Sequence, residues 1–308
     1  MPELIVSQAQ AGTRLDLILS QAADVSRARI QKFIKDQKVT VNGQTAKPHA
    51  PVKTGDVLFY PDAVLQSEPI IKQAPPALDI LYEDRDLLVL NKPAGLIVHP
   101  AGPDRGEPTL ADALVKHDPA IASVGDDPTR PGLVHRLDKD VSGVMVAAKT
   151  PAAFANLKQQ FQNRTIQKEY LALLYGAVAA DQGQIDLKIA RSKTKGKMVA
   201  RTQDQAGKEA LTDFEVIERF KIMTLVKASP KTGRTHQLRV HFKAIDHPIV
   251  GDKLYAKRNM KNIKPLEMNR LFLHAAKLSL NLMDGSRQTF EVPLPAELKS
   301  ILTTLPKL

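Results

Sequence analysis

The chain has no cysteine in its 308 residues, which excludes disulfides, thiolate catalysis and cysteine-ligated zinc. That absence fits a reducing compartment, and a cytoplasmic location is the expectation. No apolar run approaches the roughly 18 residues a membrane helix needs, so no membrane partner is expected. The first residues, MPELIVSQAQ, lack a basic segment and a long apolar core, and do not read as a signal peptide. The eight histidines show no HExxH or other tight ligand spacing, and no metal site is expected. The glycines at 102 and 106 belong to no phosphate loop, because no Gly-Lys-Ser/Thr ending follows them. There is no internal repeat and no low-complexity tract.

What the chain carries in excess is positive charge. Its 44 Lys and Arg against 33 Asp and Glu give a formal charge of +11. Such an excess favours a polyanionic partner, nucleic acid before membrane. A hydrophobic content of 43% marks a folded chain, long enough for one sizeable core and a small accessory domain.

Periodicity divides the sequence into three parts. In residues 1–60, Leu15, Ile18 and Leu19 lie at helical spacing. Ser26 then offers a cap to a second helix carrying Ile30, Phe33 and Ile34, whose outer face holds Arg27, Arg29, Lys32 and Lys35. Val39–Val41 reads as a short strand ending in an Asn42-Gly43 hairpin turn, and Val57–Tyr60 as another. Residues 61–77, with Pro61, Pro69, Pro75 and Pro76, read as a stiff linker. In residues 78–308, strands are expected at Leu87–Leu90 and resuming at Leu96–His99. Others are expected at Val144–Ala148, Tyr170–Val178, Leu211–Ile217 and Ile222–Ala228. Helices are expected after Thr109, after Thr150-Pro151, and over Thr235–Ile245. Many strands with few intervening helices point to an α+β protein: a mixed, largely antiparallel sheet domain behind a small N-terminal α+β domain.

The most informative segment is Gly132-Leu133-Val134-His135-Arg136-Leu137-Asp138-Lys139-Asp140-Val141-Ser142-Gly143. It sets Asp138 two residues after an arginine, between a Pro131-Gly132 turn and the apolar strand that starts at Val144. Turn residues on one side and a buried strand on the other leave little freedom in where the carboxylate points, as a nucleophilic carboxylate requires. Taken singly, Arg-x-Asp is most often a surface turn held by an ion pair.

The segment resembles the active-site signature of the RluA-type pseudouridine synthases, close to HRLDxxTSG, with Val141 where that family usually has threonine. Four further words fit the same family in order: Asn91–Pro100, Lys168–Leu173, Thr232–Arg239 and Arg270–Ala275. The words RLDLIL, SRARIQKFIK, VTVNG and TGDV in the first 60 residues resemble the small RNA-binding domain shared with a ribosomal small-subunit protein. The resemblance implies isomerisation of uridine to pseudouridine in RNA, with ribosomal RNA of the large subunit ahead of transfer RNA as substrate. The target would lie within or near an assembling subunit, and the enzyme would be a monomer without a cofactor.

The resemblance also implies the site. Asp138 would act covalently at the ribose or remove a ribose proton, and Tyr170 would be the active-site tyrosine. Arg234, the first arginine of its word, would be the partner of the aspartate. Lys92 has no evident chemistry and reads as structural. Arg136 joins the basic helix and the run Arg191, Lys193, Lys195 and Lys197 as candidate RNA contacts. The rival of a different class is a non-catalytic RNA-binding or ribosome-assembly factor, against which the presence of Asp138, Tyr170 and Arg234 together argues.

Overall fold

The computed structural model describes residues 3–23, 27–62, 74–100, 107–192, 194, 196–256 and 266–308, with the side chains of Arg27 and Ala28 aside. Ser26, Pro69, Lys193 and Lys195 lie outside the described residues. The chain forms two compact units, one within Met1–Ala74 and one comprising Pro75–His99 and Pro108–Leu308.

In the first unit, β1 (Glu3–Ile5), β4 (Val57–Phe59), β2 (Thr40–Val41) and β3 (Gln44–Thr45) make an antiparallel sheet in that order. Asn42 and Gly43 between β2 and β3 both have positive φ, 52° and 79°, which is what a two-residue hairpin turn of this hand demands. Helices α1 (Leu15–Ala23) and α2 (Arg27–Lys35) bury Leu15, Ile18, Leu19, Ile30 and Ile34 against Leu58. Asp16, also fully buried, takes hydrogen bonds from Arg14 at 2.8 and 3.0 Å and from Gln31 Nε2 at 2.6 Å, so its charge is met on both sides.

The second unit is built on one large sheet. Its strands are β5 (Ile80–Glu83), β6 (Leu87–Lys92), β7 (Ser142–Ala148), β8 (Gln167–Tyr175), β9 (Gln182–Asp186), β12 (Leu211–Phe220), β13 (Met223–Pro230), β14 (Leu273–Asn281) and β15 (Arg287–Glu291). They run in the order β5-β6-β7-β14-β8-β13-β12-β9, with β15 beside β14. Only β7 and β14 pair in parallel; every other pairing is antiparallel, so the α+β expectation holds. A separate hairpin, β10 (Lys188–Arg191) with β11 (Met198–Arg201), stands off the large sheet.

Leu87–Leu90 of β6 and Val144–Ala148 of β7 are apolar without interruption because both faces of the sheet are covered. Leu88, Leu90, Met145 and Ala147 face one core with α3 (Leu110–His117) and α5 (Gln237–Ala244). Leu87, Val89, Val144, Val146 and Ala148 face a second core with α4 (Pro151–Gln162). The helix starts follow their caps: Thr109 accepts from Asp112 N–H at 3.2 Å, and Thr150 does the same for Ala153 ahead of Pro151.

Several boundaries differ from expectation, β8 running over Gln167–Tyr175 instead of Tyr170–Val178, and two differences bear on the site. Leu96–His99 does not resume a strand. The chain turns through Gly95, Ile97 makes a single bridge to Thr109, and the Leu96 carbonyl is taken by the ammonium of Lys92. The last long helix starts at Gln237 instead of Thr235, because His236 adopts φ 57° and ψ 24°, outside the right-handed helix.

Candidate active site

Asp138 sits in an irregular loop fixed at both ends. Downstream, Gly143 has φ +121°, and a Cβ there would lie 2.1 Å from the Ala275 carbonyl oxygen, so only glycine lets β7 and β14 approach. Ser142 meets buried His274 at 2.8 Å and accepts from Arg270 at 2.7 Å, which ties the Arg270–Ala275 word to the aspartate loop. Beneath the loop, Lys92 is fully buried and donates to the carbonyls of Pro93, Leu96 and Lys139 at 2.7, 2.9 and 3.1 Å. Burial, with Arg270 nearby, pulls its pKa down to about 7. Lys92 is thus a structural pin, and the residue after Asp138 is one of the three points it holds. Val141, at the position where threonine was expected, is buried in the first core. The departure exchanges a hydroxyl for core packing.

The carboxylate of Asp138 is held by Arg239, not Arg234. Arg239 Nη1 donates to Asp138 Oδ2 at 2.9 Å, while its Nε and Nη2 grip fully buried Asp252 at 2.7 and 3.0 Å. Burial opposes the guanidinium charge, but the two carboxylates outweigh it and its pKa is raised. Arg234 instead donates its Nε to the Glu209 carbonyl at 3.0 Å, and its backbone N–H to Gln237 Oε1 at 3.0 Å. It lines the pocket but makes no pair with Asp138. The physical reason is helix geometry: Arg234 precedes α5, whereas Arg239 lies within it, three residues before buried Phe242 on the inward side. No local signal separates the two arginines, because one beside an apolar stripe can equally extend its head into water.

Tyr170 lies on β8, between Ala228 of β13 and Ala275 of β14, and packs against the first core. Burial, and then the Asp138 charge, raise its pKa, so it presents a protonated hydroxyl to the pocket. His135 stacks on Phe161 with ring centroids 4.8 Å apart and accepts from Val146 N–H at 3.1 Å. Burial and the neighbouring Lys168 ammonium push its pKa down to about 3. These side chains enclose a cavity of about 680 Å³ that Arg136, Lys158, Arg164 and Lys231 also line. That volume suits a nucleotide drawn out of a strand. Among the described residues no cluster of three His, Asp or Glu could hold a metal ion.

Residues 86–244 match the model of the RNA pseudouridylate synthase family, and residues 13–58 match the S4 domain. The chain belongs to the RluA family of RNA pseudouridine synthases. It is an isomerase with an N-terminal S4 domain for RNA binding. It is 38% identical over 99% of its length to the uncharacterized RNA pseudouridine synthase YlyB of Bacillus subtilis, covering 98% of that protein. It is 37% identical over 97% of its length to ribosomal large subunit pseudouridine synthase D of Escherichia coli K12, covering 93%. Among solved structures, human RNA pseudouridylate synthase domain containing 1 superposes with a TM-score of 0.57 at 28% identity, covering 77% of this chain and all of that one.

The candidate RNA contacts of the synthase fall into different settings. Lys32 and Lys35 on α2 are exposed, and Arg29 lies over the Phe33 ring at 5.9 Å. α2 opens with Arg27. Arg136 is exposed at the pocket and donates to His99 at 2.9 Å. Arg191 is exposed at the end of β10, whereas Lys197 is committed to the Leu254 carbonyl at 3.2 Å and to the Tyr255 ring. Among the described residues no helix is long and apolar enough to cross a membrane.

Proposed function

We propose that the synthase modifies uridines of large-subunit ribosomal RNA in the cytoplasm, acting as a monomer on free RNA or an assembling subunit. The observation that carries this reading is that likeness to ribosomal large subunit pseudouridine synthase D runs through both units, S4 domain included. The target base leaves the stack and enters the pocket, where Tyr170 offers a stacking face worth about 1–3 kcal/mol. Asp138 then attacks the ribose or removes a ribose proton as the N1–C1′ bond breaks. The uracil turns and C5 joins C1′, releasing the carboxylate from the ribose or drawing back the proton it had taken; the C5 proton is lost to a base, and N1 takes one up. Arg239 keeps the carboxylate aimed. Arg234, placed at the pocket wall, serves the RNA. The basic side chains of α2, Arg136 and Arg191 neutralise phosphates. Residues 1–60 and 78–308 act as separately folding domains joined by 61–77, so the larger one expressed alone should still melt cooperatively.

A map of pseudouridines in cellular RNA, with and without the gene, tests the substrate. Loss of sites confined to large-subunit ribosomal RNA is expected; loss confined to transfer RNA would overturn the assignment.

A further inference from the structure

Five described non-glycine residues have a left-handed backbone: Gln37, Asn42, Arg164, His236 and Asp246. Gln37, Arg164 and Asp246 follow the ends of α2, α4 and α5, where that conformation is an ordinary way to stop a helix, and Asn42 makes the hairpin turn. His236 has no such reason. It stands at the start of α5, where an extended backbone is the norm, and its side chain caps nothing. A strained backbone at that point needs support from the side chain's own contacts.

Those contacts converge on Asp138. His236 Nδ1 lies 2.8 Å from the Tyr255 hydroxyl, with the rings edge to face at 82°. Its Nε2 faces Asp138 Oδ2 at 3.8 Å. Tyr255 is itself fixed: its oxygen accepts from Met198 N–H on β11 at 3.2 Å, and the Arg239 and Lys197 cations lie over its ring at 5.1 and 5.4 Å. Asp138, Arg239, Asp252 and Arg136 all act on the imidazole, and burial keeps it neutral. A neutral ring whose Nε2 faces a carboxylate carries its hydrogen there, so Nδ1 accepts from the phenol. Oδ2 of Asp138 accepts from Arg239 and has the His236 N–H 3.8 Å away, a gap that a bound substrate would have to close, while Oδ1 has no partner among the described residues.

We propose that His236 is a positioning residue, locked by Tyr255, whose Nε2–H closes from 3.8 Å onto Oδ2 of Asp138 beside Arg239 when RNA fills the pocket, leaving Oδ1 to meet the ribose. This rests on Asp138 acting at the ribose.

The test uses the full-length enzyme on an RNA carrying its target uridine, with single-turnover rate, RNA affinity and melting temperature measured together. His236→Gly suits the left-handed backbone, which offsets part of what the lost Tyr255 contacts cost, and should still melt cooperatively. It should nevertheless turn over about 100-fold more slowly with affinity within about three-fold, as a misplaced reacting group would. His236→Gln returns an amide N–H near the place of Nε2 and should recover most of the rate. Tyr255→Phe, which frees the imidazole to turn, should fall between the two. A glycine variant within about three-fold of the wild-type rate would overturn the proposal, as would one whose affinity falls in step with its rate, or a glutamine variant as slow as the glycine. Substantial turnover by Asp138→Asn would instead refute the reading of Asp138, whatever the His236 variants do.

Discussion

Arg239 in the pocket is fixed by three hydrogen bonds to two carboxylates, whereas Lys32 and Lys35 on α2 extend into solvent. Both regions use positive charge, under opposite physical rules. In the pocket, a cation acts through direction: a partly buried guanidinium paired on two sides cannot move without stranding a buried acid. On α2, a cation acts through number and reach, because exposed charges lower the free energy of a nearby polyanion without a fixed geometry. The difference predicts that substitutions of Asp138 and of the cation paired with it cost turnover, and that α2 substitutions cost affinity.

The strongest test of that division is Asp138→Asn. The amide keeps the shape of the side chain but loses its charge and nucleophilicity, so turnover should vanish while RNA affinity stays within about three-fold. Substantial single-turnover product would remove Asp138 from the chemistry.

Next in size is a paired comparison of the two arginines. Arg239→Lys keeps a charge but cannot bridge Asp138 and Asp252 at once, and should lower the rate about 100-fold with little change in affinity. Arg239→Ala, which strands buried Asp252, should in addition destabilise the domain by roughly 3–5 kcal/mol, visible in its melt. Arg234→Lys should change affinity and leave the rate of bound RNA intact. The reverse pattern would restore Arg234 as the partner of Asp138.

Reversing two charges on α2, with Lys32→Glu and Lys35→Glu together, should weaken binding and flatten its salt dependence. The slope should fall by about 0.7–0.9 for each phosphate that is no longer neutralised. The rate at saturating enzyme should not move. An unchanged slope would take α2 out of the RNA interface.

The effect that is smallest at neutral pH concerns stability. His135 is held near a pKa of about 3, against an ordinary 6.5. Below about pH 6.5 the unfolded chain gains a proton that the folded one does not. Stability should therefore fall as pH drops from about 6.5 toward 3, by at most about 1.4 kcal/mol per unit from this group. His135→Gln should flatten that limb of a melting-temperature profile; an unaltered slope would show that the imidazole titrates alike in both states.

Much of this was legible in the sequence, for local reasons. The Asn42-Gly43 turn, the Thr109 and Thr150 caps and the two-faced apolar strands are short-range choices whose causes lie within a few residues. The shape of the loop around residue 138 was legible for the same reason, since turn residues and a strand bound it, whereas only the family resemblance singled out Asp138 itself. The tertiary structure alone decided which arginine reaches it. Arg234 and Arg239 stand five residues apart in one word, and only the entry of α5 at a left-handed His236 turns Arg239 toward Asp138 and Arg234 toward Glu209. The work of Lys92 was likewise hidden, because one of its three carbonyl partners, Lys139, lies 47 residues away in the chain. Local sequence determines what each segment can become; which charge meets which depends on desolvation and distance, and those exist only once the segments have packed.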